Sequence, residues 1–138
     1  MDKAALHSFM SRSRYGVVSS LAAEGTPQSA IVGIAVTPGL EIVFDTLRST
    51  RKYANLIARS PCSVVLWWGA EQTVQLDGVA LEPSGADMDR YREIYFTVWP
   101  DGRDRLGWSG ITHLVVQPRW IRATDYVQSP PLIEELQL

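Results

Sequence analysis

Between residues 15 and 46 the chain repeats one pattern three times, a short apolar run followed by a turn. The run "YGVVSSLA" (15–22) ends at "AEGTP", where Gly25 and Pro27 break it, and "QSAIVGIAV" (28–36) ends at "TPG", with Pro38 and Gly39. In the third run, "LEIVFDT" (40–46), Leu40, Ile42 and Phe44 alternate and share one face of a strand. Three strands joined by tight turns predict an antiparallel meander.

The pattern returns after an interruption. "CSVVLWWG" (62–69) and "TVQLDGVALE" (73–82) read as two more strands, with "AEQ" as the turn between them. "ITHLVVQ" (111–117) and "RWIRATDY" (119–126) read as two late strands broken at Pro118. Helical spacing appears in three places. Leu6, Phe9 and Met10 mark a short helix within 3–13, and Tyr53, Leu56 and Ile57 mark one over 51–60, stopped by Pro61. Met88, Tyr91 and Tyr95 mark a third over 87–99, and the Gly-, Asp- and Arg-rich "PDGRDRLGWSG" (100–110) reads as a loop. The tail after Pro130-Pro131 reads as a short helix or arm.

Six or seven strands with inserted helices in 138 residues are too few for a two-layer sandwich plus helices. The expected fold is mainly β: one domain, 1–138, forming a small antiparallel barrel. Closure, full or partial, removes exposed strand edges. The helices fall at the N-terminus, after strand 3 and after strand 5.

Composition narrows the function. Hydrophobic residues make up 46% and charged residues 20%, a globular balance. Thirteen Lys and Arg against 15 Asp and Glu leave a net charge of −2, which gives no general pull on nucleic acid or an anionic membrane. The cations cluster at 48–59 and 90–105, so any anion affinity is local. One cysteine, Cys62, excludes an intrachain disulfide, and its neighbours Val64, Val65 and Leu66 predict an inert thiol. His7 and His113 are too far apart in sequence for metal-ligand spacing. No run reaches the ~20 apolar residues of a membrane span, and none has signal-peptide form, so a soluble cytoplasmic protein is expected.

One segment breaks the rules of helix design. Arg48, Arg51 and Lys52 crowd the start of the helix at 51, where the backbone already carries partial positive charge and acidic residues are preferred. A bound anion removes the conflict. Free backbone N–H groups, the hydroxyls of Ser49 and Thr50, the fork of Arg51 and the ammonium of Lys52 together outline a phosphate site. Solvated cations of good helix-forming residues are the plain alternative, at a cost of only ~0.3–1 kcal/mol.

Phe44-Asp45-Thr46, then four residues, then Arg51-Lys52, within a strand–loop–helix, resembles the flavin-binding segment of the pyridoxamine 5'-phosphate oxidase family. "RYGVVSSLAAEGTPQSAIVG", "NLIARSPCSVVLW" and "VQLDGVA" extend the resemblance over roughly residues 10–82. It implies a split β-barrel, a homodimer, and FMN at the subunit interface with its phosphate on Arg51 and Lys52. It also implies that Thr46 contacts the flavin, that Thr50 replaces the family serine, and that the strand containing Ala30, Ile31 and Val32 runs along the ring. Thr73, or its neighbour Gln72, falls where the family has a glutamine facing the flavin. Trp120 and Arg122 stand where a late Trp and Arg reach the partner's cofactor. The family oxidases open and close the 30–35 strand with arginine and lysine. Here those positions are Ala30 and Ala35, Asp45 replaces a tyrosine, and the helical Tyr, Arg and Ser substrate set is missing from 87–99.

The expected activity is therefore that of a relative with another small-molecule substrate. It would pass hydride or electrons between flavin and that substrate or a nicotinamide coenzyme. A flavin carrier or sensor without turnover and a deazaflavin-dependent reductase are the alternatives.

Overall fold

The computed structural model describes residues 1–138. Eight strands form one curled antiparallel sheet, a half-barrel with helices inserted. Helix α1 (Lys3–Met10) leads into β1 (Tyr15–Leu21), β2 (Pro27–Gly33), β3 (Ala35–Val36) and β4 (Ile42–Leu47). Helix α2 (Arg51–Ala58), β5 (Pro61–Trp68), β6 (Gln72–Leu81) and α3 (Gly85–Val98) follow. A 3₁₀ segment (Pro100–Gly107), β7 (Ile111–Asp125) and β8 (Leu132–Gln137) complete the chain. The sheet runs β2-β1-β5-β6-β7-β4-β3, with β8 also on β7.

The mainly β barrel with three inserted helices is as the sequence implies, and three details differ. The run 28–36 breaks at Ile34, whose N–H turns to Arg14 O at 3.0 Å, so one expected strand becomes two. Pro118 does not end a strand. It lies at a register shift opposite Gly78, where the ladder is already irregular, so β7 continues through it. Gly78 is required there because a Cβ would collide with Gln117 O. The tail is a strand, β8, paired with β7 from Trp120↔Gln137 to Asp125↔Leu132.

Two cores result. The barrel interior is filled by alternate residues of the strands, among them Val18, Ile34, Ile42, Phe44, Leu66, Leu76, Leu114 and Ile121, with Leu6, Met10 and Leu56 from α1 and α2. Each such side chain contributes roughly 1.5–3 kcal/mol by leaving water. A smaller core lies outside the barrel, where Tyr91, Tyr95 and Phe96 of α3 pack on Ala35, Val43 and Val115.

The outer face of β2, β1 and β5 has no such cover. Cross-strand register aligns Ile31, Val17, Val65, Gln75, Arg122 and Glu135 in one row. Ile31 is 68% exposed, and Val65 and Trp67 are exposed beside it. Of the adjacent tryptophans, Trp67 faces outward while Trp68 packs inward, its ring 4.3 Å from that of Phe9.

Candidate functional site

At the edge strand β2 the sheet meets the start of α2, and a pocket of about 370 Å³ opens between them. It is lined by Ser20, Gln28, Ser29, Ala30, Ser49, Thr50, Arg51 and Lys52. Two cations and four hydroxyls converge there, and no carboxylate does.

Thr50 is the N-cap, in extended conformation, and its Oγ1 accepts from Tyr53 N at 3.4 Å. Its own hydrogen is committed, since Oγ1 lies 2.9 Å from Leu47 O and 3.0 Å from Thr46 Oγ1. Thr50 therefore shapes the helix start, and the freely exposed hydroxyl beside it is that of Ser49. The backbone N–H groups of Arg51 and Lys52 have no partner within the chain. They are the orphan donors of a helix N-terminus, directed at the pocket end of α2.

The three cations separate. Arg48 turns away: its Nε and Nη2 donate to Glu82 Oε2 at 3.1 and 2.9 Å. Glu82 also receives Tyr53 OH at 2.8 Å and the hydroxyl of Thr112. Burial opposes ionisation of Glu82, but these hydrogen bonds outweigh it and hold its carboxyl below the usual range. Arg51 and Lys52 form no ion pair. Lys52 is half-buried, and burial lowers its pKa against a weaker pull from Asp45. A half-buried ammonium without a carboxylate partner is poised to take an anion.

Sequence reasoning missed the far wall. Asn55, buried one turn after Arg51, donates to Ser20 Oγ at 3.1 Å and Gln28 Oε1 at 2.9 Å, so α2 holds β1 and β2 in place. The signal was an uncharged polar residue four positions after Arg51, on the same side of the helix.

Among the expected site residues, Ala30, Ser49, Thr50, Arg51 and Lys52 come together in the pocket, and Thr46 adjoins it through Thr50. Ile31 points to the bare outer face and Val32 into the core. Gln72, Thr73, Trp120 and Arg122 do not join them. They lie on β6 and β7, three and four places from β2 in the sheet, about 14 and 19 Å at strand spacing. Thr73 bonds Thr124 at 2.8 Å, and Arg122 pairs with Glu135 at 3.1 Å. Trp120 and Arg122 share the outer sheet face, as their spacing predicts.

The loop expected at 100–110 is a 3₁₀ segment fastened to the sheet. Arg105 donates to Asp45 at 2.7 Å and to Asp101 at 2.9 Å. Nearby His113 is fully buried, and Arg92 Nε donates to its Nδ1 at 3.1 Å. Its proton is therefore assigned to Nε2, which has no partner. Burial, reinforced by Arg92 and Arg105, lowers the His113 pKa to about 4. Burial pushes the Cys62 thiol up to about 11, so it is inert, as expected. No group of three or more potential metal ligands is present, and no helix is long and apolar enough to cross a membrane.

The family model for pyridoxamine 5'-phosphate oxidase matches residues 2–124. No curated protein sequence matches the chain. Among solved structures, a heme binding protein from Mycobacterium smegmatis is similar, with a TM-score of 0.81 at 18% identity over 99% of this chain and 59% of that one. A protein of unknown function from Agrobacterium tumefaciens gives 0.73 at 16% identity over 80% of this chain and 51% of that one. The chain thus spans little more than half the length of either. A pyridoxamine 5'-phosphate oxidase-related, FMN binding protein from Nostoc punctiforme gives 0.69 at 10% identity, covering 97% of this chain and 93% of that one. At these identities the shared feature is the fold.

Proposed function

The chain belongs to the pyridoxamine 5'-phosphate oxidase family, and from that premise we propose that it is an FMN-binding oxidoreductase acting as a homodimer. The observation that carries the reading is the pocket at the start of α2, where two cations lack acidic partners, two backbone N–H groups are free and no carboxylate intrudes. A phosphate dianion fits that donor set. Arg51 would grip two of its oxygens, Lys52 would supply a second charge, and the N–H groups with Ser49 would satisfy the rest.

The other expected contacts lie three and four strands away along the sheet, and in this reading a second copy supplies them. The bare outer face, with Ile31, Val65 and Trp67, is the surface proposed for that contact, and Trp120 and Arg122 lie on it. Thr73, or Gln72 beside it in its place, is the proposed ring contact, and Thr46 with the Ala30–Val32 backbone would border the flavin. When bound, FMN supplies hydride or one-electron chemistry, so the protein needs no nucleophile of its own. The proposed substrate is a small organic molecule or a nicotinamide coenzyme.

The test is a titration of the purified chain with FMN, followed by addition of NADH or NADPH. Saturable quenching of flavin fluorescence, then bleaching and recovery with an acceptor, is the expected result. FMN binding without bleaching by any donor would make the protein a carrier or sensor. Indifference to FMN combined with binding of a deazaflavin coenzyme would favour the other alternative and overturn this one.

A further inference from the structure

A second cavity, of about 310 Å³, opens between α1, the Ile34–Pro38 segment and α3. Ile34, Ala35, Val36, Ile94 and Val98 form aliphatic walls. No Asp, Glu, Lys or Arg lines it, and His7 is its one titratable side chain. Its polar groups are mostly committed to the chain. Thr97 Oγ1 donates to Glu93 O at 2.9 Å, and Ser13 Oγ lies 2.8 Å from Tyr15 O. His7 Nε2 lies 3.1 Å from Val36 O, which calls for the proton on Nε2 and leaves Nδ1 as an acceptor. The Ser11 hydroxyl lies 3.4 Å from the same Nε2, whose proton is directed to Val36 O, and makes no other hydrogen bond, so its own proton is free.

We propose that this cavity binds an uncharged, ring-sized, mainly apolar compound carrying a single hydroxyl or amide, received by His7 and Ser11. The reason is desolvation. An anion entering here would lose water against a lining that holds no cation, the nearby Arg14 being taken up by Val98 O at 3.5 Å and by the Trp99 ring, whereas an apolar ring leaves water favourably against aliphatic walls. The α2 pocket has the opposite chemistry, and the two lie on one run of chain. Ala30 lines the first and Ile34–Val36 the second, with at most about 16 Å of backbone from Ala30 to Ala35 across the break at Ile34. That this compound is the one a flavin at α2 acts on rests on the reading above, whereas binding in the cavity does not.

The test uses the full chain, freed of flavin and titrated calorimetrically with 2-naphthol, with 2-naphthoate and, separately, with FMN. Naphthol should bind, and naphthoate at least about ten-fold more weakly. Thr97→Trp, at an exposed position on the rim, should abolish naphthol binding while leaving FMN affinity and circular dichroism unchanged. If that variant does not fold, Pro38→Trp at the opposite exposed rim replaces it. No naphthol binding, equal binding of both probes, or unchanged naphthol affinity in the folded variant overturns the proposal. Naphthol binding without FMN binding overturns the flavin reading alone, and FMN binding without naphthol binding overturns the cavity alone.

Discussion

Cations gather twice along this chain, and the two gatherings are resolved differently. Between residues 90 and 105 every arginine is engaged: Arg90 with Asp87, Arg92 with His113, Arg103 with Glu93, Arg105 with Asp45 and Asp101. Between residues 48 and 59, Arg48 is taken by Glu82 and Arg59 donates to Leu21 O, while Arg51 and Lys52 are left over. The first set fastens α3 and the 3₁₀ segment to each other and to the sheet. The second leaves two positive charges at a helix end that already repels them. Clustering alone says little about ligand binding. What marks a site is the charge that remains after the chain's own acids and carbonyls have been assigned.

The largest effect expected from that contrast is on cofactor binding. Replacing Arg51 and Lys52 together with Ala should weaken FMN by about 100- to 1,000-fold in a fluorescence titration, since each charge-assisted contact is worth roughly 1.5–2 kcal/mol. Thermal stability should hold or rise, because unrelieved repulsion at the helix start is removed. Unchanged FMN affinity would erase the distinction between the two clusters.

The second test concerns His113, which must stay neutral to accept from Arg92. Its ordinary pKa of 6.5 falls to about 4 in the folded protein. As pH drops below 6.5 the unfolded chain takes up a proton that the folded chain refuses until about 4. Stability is therefore full above 6.5 and lost between 6.5 and 4, by roughly 3 kcal/mol at the acid end. Denaturant melts of His113→Gln should show this limb flattened.

A smaller loss is expected at the 3₁₀ segment. Asp45→Ala leaves Arg105, a partly buried cation, with Asp101 alone, and should cost about 2 kcal/mol, or some 7 °C in Tm for a chain of this length. FMN affinity should change far less than in the double variant. The smallest effect belongs to Arg48→Ala. The Glu82 pair is half exposed on the arginine side, so stability should fall by no more than ~1 kcal/mol and FMN affinity should stay within about two-fold. A large loss of affinity there would mean that Arg48 leaves Glu82 for the ligand.

Much of this arrangement was legible before folding was considered. Gly25 and Pro38 fall in turns between strands, Pro27 and Pro61 open strands, and Thr50 caps the helix that the spacing of Tyr53, Leu56 and Ile57 announces. The misreadings have local causes. Pro118 forbids a ladder hydrogen bond, but nothing near it in sequence reveals the irregularity that excuses it, which lies opposite at Gly78. "LIEELQ" favours a helix by propensity, and pairing with β7 overrides that preference. Within the site, the helix start was visible because its parts are consecutive. The removal of Arg48 was not, because its acid lies 34 positions away.

Strand β7 pairs with β4 over its first six residues, with β6 over most of its length and with β8 over its last six. Val115 and Val116 are flanked by partners on both sides. It acts as a shared spine: neither half of the molecule can detach without stripping hydrogen bonds from the other. Amides at the centre of that spine should exchange with solvent only when the whole chain opens, and a nick elsewhere should release no independently stable fragment.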